Sequence, residues 1–268
     1  MPRAEYLKNR PAQLVIVAGL LLSACAPTAH TDAVIDGGSE TMLRVGDAAR
    51  DAGDISAAIP IYRRAHALAP LEPAPLLRLA ETLHSVGAYR EAGNAWDRIL
   101  RIDADDFDAR VGYGETLAAL GQPILALEQF QLAAEIDANT RMFNGIGVSN
   151  DMLGNPVAAQ AAYRSGLELE QTAKLLNNLG LSLALSGDTA QAIATLEEAD
   201  RFSEAGARQR ANLALAYTAS GNTSRAAEIL SRDMDDVSMM RTISFYETIT
   251  ALPDHASKVA AMGAHSTP

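Results

Sequence analysis

The chain has 268 residues, 48% hydrophobic and 21% charged, with 11 Pro and 19 Gly, so it has the apolar content of a packed chain and too little Pro and Gly for a low-complexity one. Its net charge is −11, and its basic residues gather in no cluster larger than Arg63-Arg64. Phosphate neutralisation therefore finds no footing, and nucleic-acid binding is excluded together with a broad electrostatic grip on anionic lipid. Aromatics are only 5% while Ala and Leu dominate, so the core is expected to be aliphatic and built by helix-on-helix packing.

In chain order, Arg3, Lys8 and Arg10 precede the apolar run Leu14 to Leu22, and small residues follow at once. This is the plan of a secretory signal, and the run is far shorter than the ~20 residues that span a bilayer. Residues 1–24 are expected to be removed. The junction Leu22-Ser23-Ala24-Cys25 resembles the lipobox of bacterial lipoproteins, in which the cysteine is acylated and becomes the first mature residue. Cys25 is the only cysteine, so no internal disulfide and no thiol chemistry is expected. In lipoproteins of Gram-negative bacteria, Ala26 rather than Asp after the cysteine implies the outer membrane, facing the periplasm. Residues 25–38 lack a periodic apolar face and end in Gly37-Gly38, which predicts a flexible tether behind the lipid.

From there a single period organises the chain. Gly53, Gly87, Gly121, Gly154, Gly187 and Gly221 recur at spacings of 34, 34, 33, 33 and 34 residues. Ala58, Ala92, Ala126, Ala159, Ala192 and Ala226 follow each of them five residues later. Each unit also carries a small residue upstream of its turn, at Gly46, Ala80, Gly114, Gly147, Gly180 and Ala214, and a large one at Tyr62, Trp96, Phe130, Tyr163, Leu196 or Leu230. Two helices approach closely only where facing side chains are small, so each unit reads as a helical hairpin, its small residues opposed by the alanine series. The large residues are expected to fill the space between neighbouring units. The units fall at about 39–72, 73–106, 107–139, 140–172, 173–206 and 207–234.

This period and pattern resemble the tetratricopeptide repeat (TPR). The resemblance implies an all-α superhelix of about six hairpins with a concave groove lined by the first helices. Asn150 and Asp233 depart from the pattern, which expects a large and a small residue there. Residues 235–252 read as a capping helix with Met240, Ile243, Tyr246 and Ile249 on one face, and 253–268 as a loose tail.

Chemistry finds no foothold. The histidines His30, His66, His84, His255 and His265 share no metal-ligand spacing, and neither a His-Glu-x-x-His nor a Gly-x-Ser-x-Gly motif occurs. Gly145-Ile146-Gly147 lies within an expected helix rather than after a strand, as a phosphate loop would require. No metal, cofactor, small-molecule substrate or enzymatic activity is expected.

The register instead points to protein binding. The groove floor reads Asp47, Glu81 and Glu115 in the first half, then Val148, Leu181 and Leu215 in the second. Asn144, Asn177 and Asn178 lie beside the apolar stretch, with Arg141, Lys174 and Arg208 along its flank. An amide side chain can hold both the N–H and C=O of an extended segment, and a flanking cation can take a carboxylate, so these residues are candidates for gripping a partner protein.

The combination of lipobox, tether, six units and capping helix resembles the TPR lipoproteins of Tad/Flp pilus assembly, known as TadD, and more distantly the pilotins of type IV pili. The resemblance implies a scaffold for pilus assembly or secretion, with a secretin or another pilus component as partner. A scaffold or adaptor in cell-wall synthesis or division would carry the same features.

Overall fold

The computed structural model describes residues 31–202 and 206–265. Cys25 and the signal segment lie outside the described residues. Six antiparallel hairpins follow one another: α1 (Thr31–Asp51) with α2 (Ile55–Leu68), α3 (Pro73–Ser85) with α4 (Tyr89–Ile102), and α5 (Phe107–Ala119) with α6 (Pro123–Ala134). Then come α7 (Thr140–Met152) with α8 (Pro156–Leu169), α9 (Ala173–Ser186) with α10 (Thr189–Ala199), and α11 (Ala207–Ala219) with α12 (Thr223–Leu230). Two further helices, α13 (Asp236–Thr250) and α14 (His255–His265), close the chain.

Local chemistry sets the ends of these helices. Asp54, Asp106, Asn139, Thr172, Asp188, Asn222 and Asp235 each accept a hydrogen bond from the backbone N–H three residues on, the usual work of an N-cap. Pro73, Pro123 and Pro156 open their helices, where a missing N–H costs nothing. The six turn glycines all have φ between 73 and 97°, a left-handed conformation that any Cβ would strain, and this is why glycine recurs at that register.

Packing follows the period, with one correction to the expected contacts. The glycines of the first helices, Gly46, Gly114, Gly147 and Gly180, meet the large residues of the second helices of their own hairpins. A Cβ on Gly46 would lie 2.5 Å from the Tyr62 ring, and one on Gly147 would overlap the Tyr163 ring. Phe130 rests on Gly114 of its own hairpin and on Gly145 of the next, while Trp96 covers Gly112 of the next. The large side chains thus join helices within a unit as well as between units. The alanines Ala58, Ala92, Ala126, Ala159, Ala192 and Ala226 are fully buried.

First helices of successive units pack on one another, from α1 with α3 through to α9 with α11, whereas second helices are not comparably paired. The first helices therefore line the inner, concave side of a TPR-like superhelix.

Several expectations need revision. Helix α1 begins at Thr31, inside the expected tether. Gly38 is a helix–helix contact, with its Cβ position 3.5 Å from Leu68, and the buried Ser39 hydroxyl donates to the Ala65 carbonyl at 3.2 Å. Asn150, where a large residue was expected, turns its amide back to the Ile146 carbonyl at 2.9 Å, and Asp233 forms a two-pronged ion pair with Arg210. In α13, Tyr246 and Ile249 are buried but Met240 is 63% exposed, and Met239 packs on the core instead. Finally, the expected loose tail contains α14. Asp254 accepts from the Ser257 backbone N–H at 2.8 Å and from its hydroxyl at 2.7 Å, capping the helix, and Val259, Ala261 and Met262 pack on the last core cluster.

Candidate binding groove

The concave face changes character along its length. At the first end, the expected acidic floor is neutralised from within. Asp47 accepts from the Tyr62 hydroxyl at 2.8 Å and lies 3.3 Å from Arg78 and 3.5 Å from Arg50. Glu81 lies 3.5 Å from Arg78 and 4.0 Å from Arg50, so the two carboxylates share two guanidinium groups. Further along, Arg141 reaches across from α7 to Glu115 on α5, donating from two nitrogens at 2.7 and 3.0 Å. Arg141, a candidate for a partner's carboxylate, is therefore already committed to one of the chain's own.

Between these groups sits a hydroxyl junction. Thr116 accepts from the Trp96 indole N–H at 3.0 Å, donates to the Gly112 carbonyl at 2.8 Å and meets His84 Nδ1 at 2.9 Å. Burial lowers the His84 pKa below its ordinary value; Glu115 opposes the shift, and the positive charges of Arg141 and Lys174 add to it.

In the second half the asparagines bond to one another. Asn178 donates to Asn144 at 2.7 Å, Asn177 donates to Asn178 at 3.2 Å, and Asn212 donates to Asn177 at 2.9 Å. The result is a ladder of amides running from α7 across α9 to α11, with Asn144, Asn177 and Asn212 nearly buried. Sequence reasoning missed Asn212, although it stands one period beyond Asn178, and that spacing could have found it. Each amide retains hydrogen-bonding capacity beyond the bonds it makes in the ladder. The ladder holds neighbouring units in register and leaves a polar strip on the groove floor.

Lys174 and Arg208 differ from Arg141. Both are exposed, and neither forms an ion pair among the described residues. Leu181 is half-buried and lines a hollow of the groove. Leu215 is not on the floor: it is fully buried in the cluster that includes Tyr246 and Ile249, because α13 packs on α11 and covers that position.

Two hollows mark this half and its border with the first. One, of about 340 Å³, is bounded by His84, Glu115, Asn144, Val148 and Lys174. The other, of about 380 Å³, has Val148, Leu181, Leu185, Asn177, Asn212 and Arg208 on its array side. Val259, Met262 and Gly263 of α14 form its opposite wall. Beneath it, Asp151 of α7 accepts from Ser182 at 2.7 Å, from Tyr163 at 3.0 Å and from His255 Nε2 at 2.9 Å. Burial and the adjacent Asp151 charge hold the Tyr163 phenol well above its ordinary pKa. A concave surface with apolar floor, amide strip and exposed cations can bind a polypeptide segment. Among the described residues no three His, Cys, Asp or Glu side chains come together as a metal would need.

This arrangement defines a helical-repeat protein of the TPR class by its fold. Family models described as tetratricopeptide repeat match residues 49–106 and 173–205. No curated protein sequence matches the chain. Among solved structures, it resembles the APC/C hetero-tetramer Cut9–Hcn1 with a TM-score of 0.68 at 18% identity, over 80% of this chain and 44% of that one. This chain thus spans less than half of that relative. It also resembles PilW, described as a widely conserved type IV pilus biogenesis factor, with a TM-score of 0.70 at 17% identity, over 77% of this chain and 98% of PilW. The pilF protein of Pseudomonas aeruginosa is similar with a TM-score of 0.63 at 15% identity, over 78% of this chain and 98% of that one. Likeness at these identities establishes the fold.

Proposed function

We propose that this chain is an outer-membrane lipoprotein, anchored through Cys25 on the periplasmic side, whose TPR array is a non-catalytic scaffold for protein–protein interaction in Tad/Flp pilus assembly. Its role is pilotin-like, with a secretin or another pilus component as partner. The observation that carries the scaffold role is the second half of the groove, where Lys174 and Arg208 stand exposed, with no ion pair among the described residues, beside the amide ladder and the half-buried Val148 and Leu181. A groove whose charges are all satisfied internally has little to offer a partner, and among the described residues the charges of this half are not all satisfied. The lipobox at Leu22 to Cys25 supports the anchor, and the shared fold of PilW and pilF, which match over nearly their whole length, supports the pilus setting.

The test is a crosslinked pull-down of the mature lipoprotein from solubilised envelopes, beside the double variant Lys174→Glu, Arg208→Glu. A secretin or other pilus component captured by the wild type and lost by the variant is the expected result. Capture of peptidoglycan synthases or division proteins would replace the pilus role with an envelope scaffold. Equal capture by both chains would remove the groove as the binding surface.

A further inference from the structure

Helix α14 lies in the concave groove. It packs on α7 and α9, the first helices of the fourth and fifth units, as well as on its neighbour α13. Its start sits directly against a turn of the array: a Cβ on Gly154 would lie 3.0 Å from that of Ala256. Three contacts fasten it. The His255 ring N–H donates to the Asp151 carboxylate at 2.9 Å, the Lys258 ammonium donates to the Leu185 carbonyl at 3.2 Å, and Val259 and Met262 face the apolar floor.

These contacts hold α14 lightly. Among its described residues only the His255 side chain, at 7% exposure, is close to fully buried, and the hollow of about 380 Å³ remains between the helix and the floor. By contrast α13 buries Tyr246 and Ile249 in the last core cluster. Val259, Ala261 and Met262 of α14 are only partly buried where they pack on the last core cluster, and residues 251–254, including Pro253, connect the helix to α13.

We propose that α14 is an intramolecular occupant of the groove, holding the place of an amphipathic helix from a partner protein that carries a basic hydrogen-bond donor opposite Asp151. The donor requirement follows from Asp151 itself. Its carboxylate is buried with Tyr163, Ser182 and His255 as donors, and losing one donor without replacement leaves a buried anion short of hydrogen bonds. The entering helix must therefore replace what His255 supplies, and Arg208 at the edge of the hollow favours an acidic residue on its outer side. The inference rests on the groove being a protein-binding surface, and it does not depend on the pilus setting.

The experiment uses the full mature chain and a fluorescent synthetic peptide of residues 253–268 as the probe. The double variant His255→Ala, Lys258→Glu should bind the peptide about tenfold more tightly than wild type, because a site occupied about nine-tenths of the time shows its affinity reduced by that factor. A peptide carrying His255→Ala should lose that binding. Equal affinity of wild type and variant for the unaltered peptide would overturn the proposal. Hydrogen exchange on the wild type checks it without substitution: amides of α14 should exchange at least ~100-fold faster than those of α13, and equal protection would overturn it. None of these readouts involves a pilus component, so their failure is distinguishable from an empty pull-down.

Discussion

The two halves of the concave face are built on one repeat and do different work. In the first, Asp47, Glu81 and Glu115 are matched by Arg50, Arg78 and Arg141, so the floor is an internal lattice of ion pairs. In the second, amides replace the acids, the cations Lys174 and Arg208 stand exposed, and the chain's own last helix lies on the surface. The cores also change along the array: Tyr62, Trp96, Phe130 and Tyr163 fill the first four hairpins, Leu196 and Leu230 the last two. A repeat fixes backbone geometry while leaving the groove-facing positions free to vary, and here that freedom separates a self-satisfied surface from an open one.

The largest expected effect tests the cores. Trp96→Ala should cost about 4 kcal/mol, and Leu196→Ala about 3 kcal/mol, in urea denaturation. Equal losses would show that the aromatic and aliphatic cores are equivalent in stability. Next, Gly147→Ala drives a methyl into the Tyr163 ring and should destabilise the array by about 2 kcal/mol. Gly93→Ala, whose nearest neighbour would be 3.6 Å away, should instead be neutral or stabilise by about 0.5 kcal/mol through helix propensity. Thermal melts of the two variants should move in opposite directions.

A smaller effect follows from pH. Burial lowers the pKa of both His66 and His84 below the ordinary 6.5, with the Arg98 charge adding to the shift at His66. The unfolded chain then binds more protons than the folded one as pH falls through 6.5, so stability should drop on acidification. Both histidines lie in the first two hairpins, so hydrogen exchange at about pH 7.5 and about pH 5.5, on either side of the ordinary histidine pKa, should show the loss concentrated there. A uniform loss along the array would remove the distinction.

The smallest effect concerns the cations. Arg141→Ala breaks the Glu115 pair and should cost no more than about 1 kcal/mol, since the pair is partly exposed. Lys174→Ala should leave stability within about 0.5 kcal/mol of wild type while weakening partner capture. A stability loss at Lys174 matching that at Arg141 would mean that the second half is as internally satisfied as the first.

Much of this was legible from residues alone. The turn glycines, the alanines and the large residues after them repeat because hairpin packing repeats, and a pattern imposed by local geometry is readable without coordinates. The groove register, read from spacing alone, assigned Asn144, Asn177, Asn178, Lys174, Leu181 and Arg208 to the concave side. It failed at Leu215, where α13 covers the floor, and at Arg141, where the partner is a carboxylate 26 residues away.

The sequence by itself determined the hairpins, their order and the side of each helix that faces inward, because these follow from spacing and from which side chains are small. Only the tertiary structure decided which groove residues satisfy one another and which stay open, and that α14 returns to the groove. Those outcomes depend on distances between units, such as the 2.9 Å from His255 to Asp151, and no periodicity along the chain encodes a contact between residues 104 positions apart.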